Sequence, residues 1–132
     1  MYRIKRNATD ALFSDFIRWR DDFICQRCFA KFERPNIAYH CSHFHSRSKK
    51  STRFDPLNAV GLCYKCHEHF TAEDTFCGGP MNTKEHKGFI IERIGEREFD
   101  LLAVRANTPT KLDEKTIRMG LKLELKALKG RK

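Results

Sequence analysis

Two Cys-x-x-Cys pairs constrain this chain more than anything else in it. Cys25-Gln26-Arg27-Cys28 and Cys63-Tyr64-Lys65-Cys66 stand with 34 residues between them. The spacing within a pair lets both sulfurs of a knuckle face one ion. Two such pairs complete a tetrahedral four-sulfur site with Zn–S of about 2.3 Å. Thiolate donors in that geometry select zinc over magnesium. One pair alone would fit a redox-active dithiol; two in register rarely do. The expected structural zinc ligands are therefore Cys25, Cys28, Cys63 and Cys66. Cys41 and Cys77 are left over and read as buried or unreactive thiols, with Cys77 exposed on its Gly-Gly loop.

The segment between the pairs is tied at both ends, so its composition matters. It carries Tyr39-His40-Cys41-Ser42-His43-Phe44-His45 and then a polar, basic run over residues 46–53. Across the whole chain, 26 Lys+Arg face 17 Asp+Glu, a formal net charge of +9. A balance of this size favours a polyanionic partner, and nucleic acid is the default. The basic run is the expected phosphate contact, through Arg47, Lys49, Lys50 and Arg53. Arg3, Arg18 and Arg20 are further candidates, or simply solvated charges. No apolar run follows the charged N-terminus, and none approaches the length of a membrane span. The expectation is a cytoplasmic chain with reduced thiols, no membrane partner and a metal rather than disulfides.

At 132 residues the length fits a single domain over 1–132. The periodicity predicts an N-terminal helix from about residue 10, capped by Asp10, to 21 and reaching the first knuckle by 24. Leu12, Phe13, Phe16 and Ile17 form its inner face. Phe29 and Phe32 are expected beneath the knuckle. Residues 37–44 read as a strand, with Cys41, His43 and His45 on one face and His40, Ser42 and Phe44 on the other. Residues 46–53 read as a loop. A helical start is expected near Cys66, running through His69, and a loop over 71–82. Helices are expected over 83–94, with Gly95 as the stop, over 96–105, and over about 112–128. The last segment is ambiguous: Ile117, Met119, Leu121, Leu123 and Leu125 alternate like a strand. Ile117, Leu121, Leu125 and Leu128 also form a helical stripe, and the Lys/Glu/Leu composition favours helix. The fold class is α+β, with a zinc-bound core over 25–70 and a helical extension over 83–128.

A neutral imidazole titrates near neutrality and can take a proton from water. Histidines on a zinc-framed loop in a basic chain thus suggest hydrolysis of a phosphodiester. His67, directly after the fourth cysteine, is placed to bind a divalent ion.

The pattern Cys-x-x-Cys, His43, Asn58, Leu62-Cys63-x-x-Cys66-His67 resembles the HNH, or ββα-metal, endonucleases. Within them it is similar to the phage NinG/Rap-type recombination endonucleases. The segments that carry this closer likeness are residues 13–21, 42–47, 52–58, 89–95 and 109–111, so it covers most of the chain from about 10 to 128. The resemblance implies a ββα-metal core and a DNA endonuclease acting in phage or prophage recombination, on branched or recombination-intermediate DNA. It implies His43 as the base that activates water, Asn58 as the residue that orients it, and His67 as a ligand of a catalytic Mg²⁺ or Mn²⁺. Two positions depart from the family pattern. Ser42 stands where many members have an Asp or His ligand, and His67 stands where the NinG/Rap type usually has Asn. The second ligand is thus open among His45, Asp55, His40 and His69, with His45 first. A phage-encoded chain would act in its host's cytoplasm. The competing functions are a non-catalytic zinc-ribbon DNA-binding module and a partner-binding protein that uses the C-terminal helix, as in a homodimer.

Overall fold

In a computed structural model of the chain, residues 5–67 and 83–132 are described. The expectations for Arg3, His69, Cys77 and the 71–82 loop lie outside them. The order is α1 (Ala8–Arg20), β1 (Tyr39–His43), α2 (Lys50–Arg53), a 3₁₀ turn (Pro56–Asn58), β2 (Ala59–Cys63), α3 (Tyr64–His67), α4 (Thr83–Ile94), α5 (Glu96–Ala106) and α6 (Glu114–Arg131). This is a small α+β fold, largely helical, around one two-stranded antiparallel sheet. The register pairs Tyr39 with Cys63, Cys41 with Gly61 and His43 with Ala59.

Helix α1 is capped three residues before the expected position. Asn7, not Asp10, caps it: the Asn7 side chain accepts from the Asp10 N–H at 3.0 Å, and the Asp10 carboxylate accepts from the Asn7 N–H at 2.9 Å. This reciprocal pair satisfies two orphan helix donors at once. The helix ends at Arg20, short of residue 24, because Asp22 and Phe23 adopt left-handed φ values of 59° and 56° and turn the chain into the knuckle.

The ribbon separates two apolar clusters. Ala59 packs with Phe13, Phe16 and Ile17 of α1 and Leu121 of α6, with Cys41 at the margin. Val60 and Leu62 pack with Cys25, Cys63 and Cys66, and Phe32 and Phe89 close that side. Phe29 does not: at φ 65° it projects outward, 71% exposed. Gly61 is required where it stands, since a Cβ there would lie 1.9 Å from the Tyr39 hydroxyl. That hydroxyl donates to the Ile24 carbonyl at 2.8 Å and ties β1 to the first knuckle.

The strand is shorter than the expected 37–44, and Ile37 is 96% exposed. Residues 50–53 form a helical turn where a loop is expected, with Thr52 and Arg53 buried. In the C-terminal segment the helical stripe wins. Leu121 and Leu125 are buried, while the strand-pattern residues Met119 and Leu123 face out. Asp113 caps this helix by accepting from the Thr116 N–H at 3.2 Å. Gly95, at φ 88°, separates α4 from α5 where the stop is expected.

Candidate metal centre and histidine groove

The four paired cysteines converge. Their sulfurs all lie within 4.8 Å of one another, and Cys28 Sγ is 3.8 Å from Cys63 Sγ. Sulfurs at the corners of a zinc tetrahedron are about 3.8 Å apart, given the usual Zn–S length. The second residue of each pair aims its backbone N–H at the first sulfur, Cys28 at Cys25 (3.5 Å) and Cys66 at Cys63 (3.4 Å). Burial raises the Cys25 thiol, but the N–H groups of Cys28 and Cys63 outweigh it and leave the net shift downward. Burial pushes the Cys63 thiol up to about 12. The donor set, its spacing and its near-complete enclosure fit a structural metal such as zinc.

Below the knuckle, the loop after β1 is fixed by Asn58, which is fully buried. Its Oδ1 accepts from the His45 N–H at 2.8 Å. Its Nδ2 donates to the His45 and Thr52 carbonyls, both at 3.0 Å. One side chain thus holds both ends of the 45–52 loop. His43 lies beside that loop, its ring 5.5 Å from Phe13. Its Nε2 is 3.1 Å from the Arg53 carbonyl, which can only accept. The proton therefore sits on Nε2, and Nδ1 keeps its lone pair. Burial, first among the causes, holds the His43 pKa below the usual 6.5, so the ring is neutral and basic at pH 7.

His67 is paired with His40: their Nδ1 atoms are 3.1 Å apart. His40 Nε2 is 3.1 Å from the Ile37 carbonyl, so Nε2 carries its proton and Nδ1 is the acceptor. A spacing of 3.1 Å serves a hydrogen bond from His67. With both Nδ1 atoms deprotonated, it also suits two nitrogens sharing one ion at about 2.1 Å each. The outward N–H on a backbone carbonyl is the usual support for a ligating histidine. His40, rather than the first-expected His45, is thus the histidine that stands beside His67. His45 is instead edge-on to Phe44, its Nε2 buried without a hydrogen-bond partner among the described residues. Asp55 is committed elsewhere: one oxygen accepts from the Leu57 N–H at 3.0 Å, the other from Arg105 Nε at 2.9 Å. Among the described residues, only the four cysteines place three or more ligand atoms within 4.8 Å of one another.

His43 and His67 line two adjoining hollows. One is a groove of about 1120 Å³ and the other a pocket of about 220 Å³; no other described residue lines both. Among the described residues the groove is basic: Arg6, Arg18, Arg34, Arg47 and Lys129 line it against a single carboxylate, Asp15. Trp19 lies in it between Arg34, 4.5 Å from its ring centre, and Lys129, at 5.3 Å.

Among the expected phosphate contacts, Arg47 reaches this groove and Arg53 does not. Arg53 is buried, its Nε 3.0 Å from Asp10 Oδ1 and its Nη2 on Asp10 Oδ2, and it also donates to the Lys5 carbonyl. Burial alone would raise the Asp10 carboxyl, but the Arg53 bond, the Asn7 N–H and the guanidinium charge bring it below the usual carboxylate range. Arg53 is therefore a structural cation. Arg20 is another, donating to the Pro56 and Ala59 carbonyls at 2.8 Å. Lys49 reaches Asn107 at 3.3 Å, and Lys50 is exposed on α2. Burial against α1 pushes the Cys41 thiol up to about 12, which disfavours its thiolate.

His86 of α4 is the residue that sequence reasoning missed. It lines the smaller pocket with His43 and His67. The signal was available: Phe89 and Ile90 are expected to face inward, and His86 precedes them by three and four positions, on the same helical face. Arg34 and Lys129, far apart in sequence, carried no such signal.

No family model, curated protein or solved structure matches the chain.

Proposed function

We propose that this chain is a divalent-metal-dependent DNA endonuclease of the HNH type, with a structural zinc on its four cysteines. The observation that carries the reading is the arrangement of three side chains. His43 offers a lone-paired Nδ1, its Nε2–H is fixed by the Arg53 carbonyl, and Asn58 holds the loop that supplies that carbonyl. His67 lines both hollows that His43 lines. His43 Nδ1 accepts a proton from water as the oxygen attacks phosphorus, and the depressed pKa keeps that nitrogen free at neutral pH. Asn58 prevents the loop from drifting and so keeps His43 aimed. His67 and His40 would hold a divalent ion, which would supply positive charge for phosphodiester hydrolysis. The groove cations bind the DNA backbone on either side. By the same resemblance, the substrate is branched or recombination-intermediate DNA, and the ion expected on that ground is Mg²⁺ or Mn²⁺.

The basic groove also suits a zinc-stabilised DNA-binding module without catalysis. One experiment separates the two. Zinc-loaded protein is incubated with linear, nicked and four-way DNA, with Mg²⁺, Mn²⁺ or EDTA at a level that spares the zinc. The nuclease reading expects strand cleavage only with an added divalent ion. Binding that is unchanged by EDTA, with no cleavage under any ion, would leave only the binding module.

A further inference from the structure

Six large apolar side chains are exposed among the described residues: Phe29, Ile37, Leu101, Val104, Met119 and Leu123. Ile37 is the most exposed of them, at 96%, and the only one that lines the basic groove. A single exposed apolar residue is ordinary; two features set this one apart. First, the backbone that carries it is clamped. The Asn36 side-chain oxygen accepts from the Ala38 N–H at 2.8 Å, the Asn36 carbonyl from the Tyr39 N–H at 3.2 Å, and the Ile37 carbonyl from His40 Nε2 at 3.1 Å. The Ala38 carbonyl accepts from the Tyr64 N–H at 2.8 Å. The turn cannot fold the side chain back onto the protein without breaking these bonds, and a β-branched residue has little χ1 freedom. Second, its surroundings are cationic. Arg34, three residues earlier, lies in the same groove with Arg6, Arg18, Arg47 and Lys129. The clamp also reaches the proposed ion site, because His40, which holds the Ile37 carbonyl, pairs with His67.

A stiff apolar point among cations fits a partner with anionic edges and apolar faces within, which is a stack of bases between phosphate strands. We propose that Ile37 is a wedge that inserts between two bases of DNA while the groove cations hold the flanking phosphates, so that the chain selects duplex steps that open cheaply. Such openings lie at nicks and at flexible pyrimidine–purine steps, and unstacking them costs less than unstacking a stiff intact run. An anionic membrane offers similar chemistry, but its surface is broad, and the cations here line a groove rather than a protruding face. The inference rests on the DNA-binding part of the proposed function. It adds which DNA the site takes: a weakly stacked step, opened beside His43 and His67, which line the same groove.

The test uses full-length, zinc-loaded chain with EDTA at a level that spares the zinc, so that binding is read without cleavage. Two duplexes of one sequence, one nicked and one intact, carry 2-aminopurine at the nick position, and both anisotropy and base fluorescence are read. Wild type is expected to bind the nicked duplex about 10-fold more tightly, the order expected for burying an isoleucine side chain. The 2-aminopurine should brighten as it unstacks. Ile37→Ala is expected to lose that preference and the brightening, while binding intact duplex within about 2-fold of wild type, as a surface change should. Ile37→Val, which keeps the branch at Cβ, should retain most of the preference. Met119→Ala, exposed outside the groove, should retain all of it. Equal wild-type affinity for the two duplexes, or a nick preference that survives in Ile37→Ala, overturns the proposal. Binding to anionic vesicles that Ile37→Ala abolishes, with no nick preference in wild type, overturns it in favour of a membrane surface. An Ile37-dependent nick preference without cleavage under any added ion keeps the wedge and sinks the nuclease. Metal-dependent cleavage with a nick preference that Ile37→Ala retains does the reverse.

Discussion

The cysteine knuckles and the histidine groove flank the same two-stranded ribbon, yet they are built on opposite plans. Every sulfur of the knuckles sits within 4.8 Å of the others, and the cluster is enclosed by Val60, Leu62, Phe32 and Phe89. Among the described residues no three histidines converge in this way: His40 and His67 meet as a pair, and the histidines of β1, α3 and α4 line hollows that open to solvent. A structural ion needs closure and full coordination, whereas a reactive one needs an open position and a path for substrate. The cysteine side thus acts as the frame, and the histidine side can remain open because the frame carries the stability.

The sharpest way to break this contrast is to remove the frame. Cys63→Ser should abolish cooperative unfolding and zinc retention together, because a structural zinc contributes about 10–16 kcal/mol that folding then lacks. Circular dichroism melts with metal analysis check this. A variant that melts like wild type without zinc would show that the knuckles are not the frame.

The next effect separates two arginines that look alike in sequence. Arg53→Ala leaves Asp10 buried without its partner and should cost about 3–5 kcal/mol in a denaturant titration. Arg47→Ala should leave stability within about 0.5 kcal/mol, as surface changes do.

A smaller effect is expected with pH. His43 and His45 both lie below the usual 6.5 because burial disfavours their charged forms. Above 6.5 both are neutral in the folded and unfolded states, so stability should be flat there. Below 6.5 the unfolded chain takes up protons that the fold resists, so stability should fall. The depressed Asp10 carboxyl adds a further loss as pH drops through the carboxylate range. On the proposed nuclease reading, cleavage with His43 as base should hold to a pH below 6.5 before declining. A rate that halves at or above 6.5 would contradict the neutral, buried base. The smallest effect is ionic: Arg47→Ala should flatten the salt dependence of DNA binding by about one contact, roughly 0.9 in log–log slope.

Legibility in the sequence follows the same division. The knuckles were readable because both pairs declare their geometry locally, through Cys-x-x-Cys spacing. The C-terminal helix was readable because Leu121 and Leu125 repeat at helical spacing, and only a helix buries both while leaving Met119 and Leu123 outside. The loop clamp by Asn58 was suggested by resemblance alone; nothing in its spacing shows three backbone bonds across 13 residues. Arg53 was misjudged because a cation in a basic run looks solvated until its partner is known, and Asp10 is 43 residues away. Asp10 reads as a cap because it directly precedes the apolar stripe; in the fold it is the third helical residue and closes a reciprocal box with the cap Asn7. His40 and His67 meet only through the antiparallel register that sets His40 against Leu62. Such pairings depend on how strands and helices assemble, which local pattern does not encode.

On the proposed reading, the cysteine frame serves to aim His43 at a scissile phosphate. The most direct measurement compares cleavage rates of zinc-loaded wild-type and His43→Ala protein on the same DNA, at equal zinc content and saturating protein. Removing a general base typically costs about 10²- to 10⁴-fold. The expected result is a loss in that range with DNA affinity and melting behaviour retained. Cleavage by His43→Ala at the wild-type rate, with contaminating nuclease excluded, would contradict it.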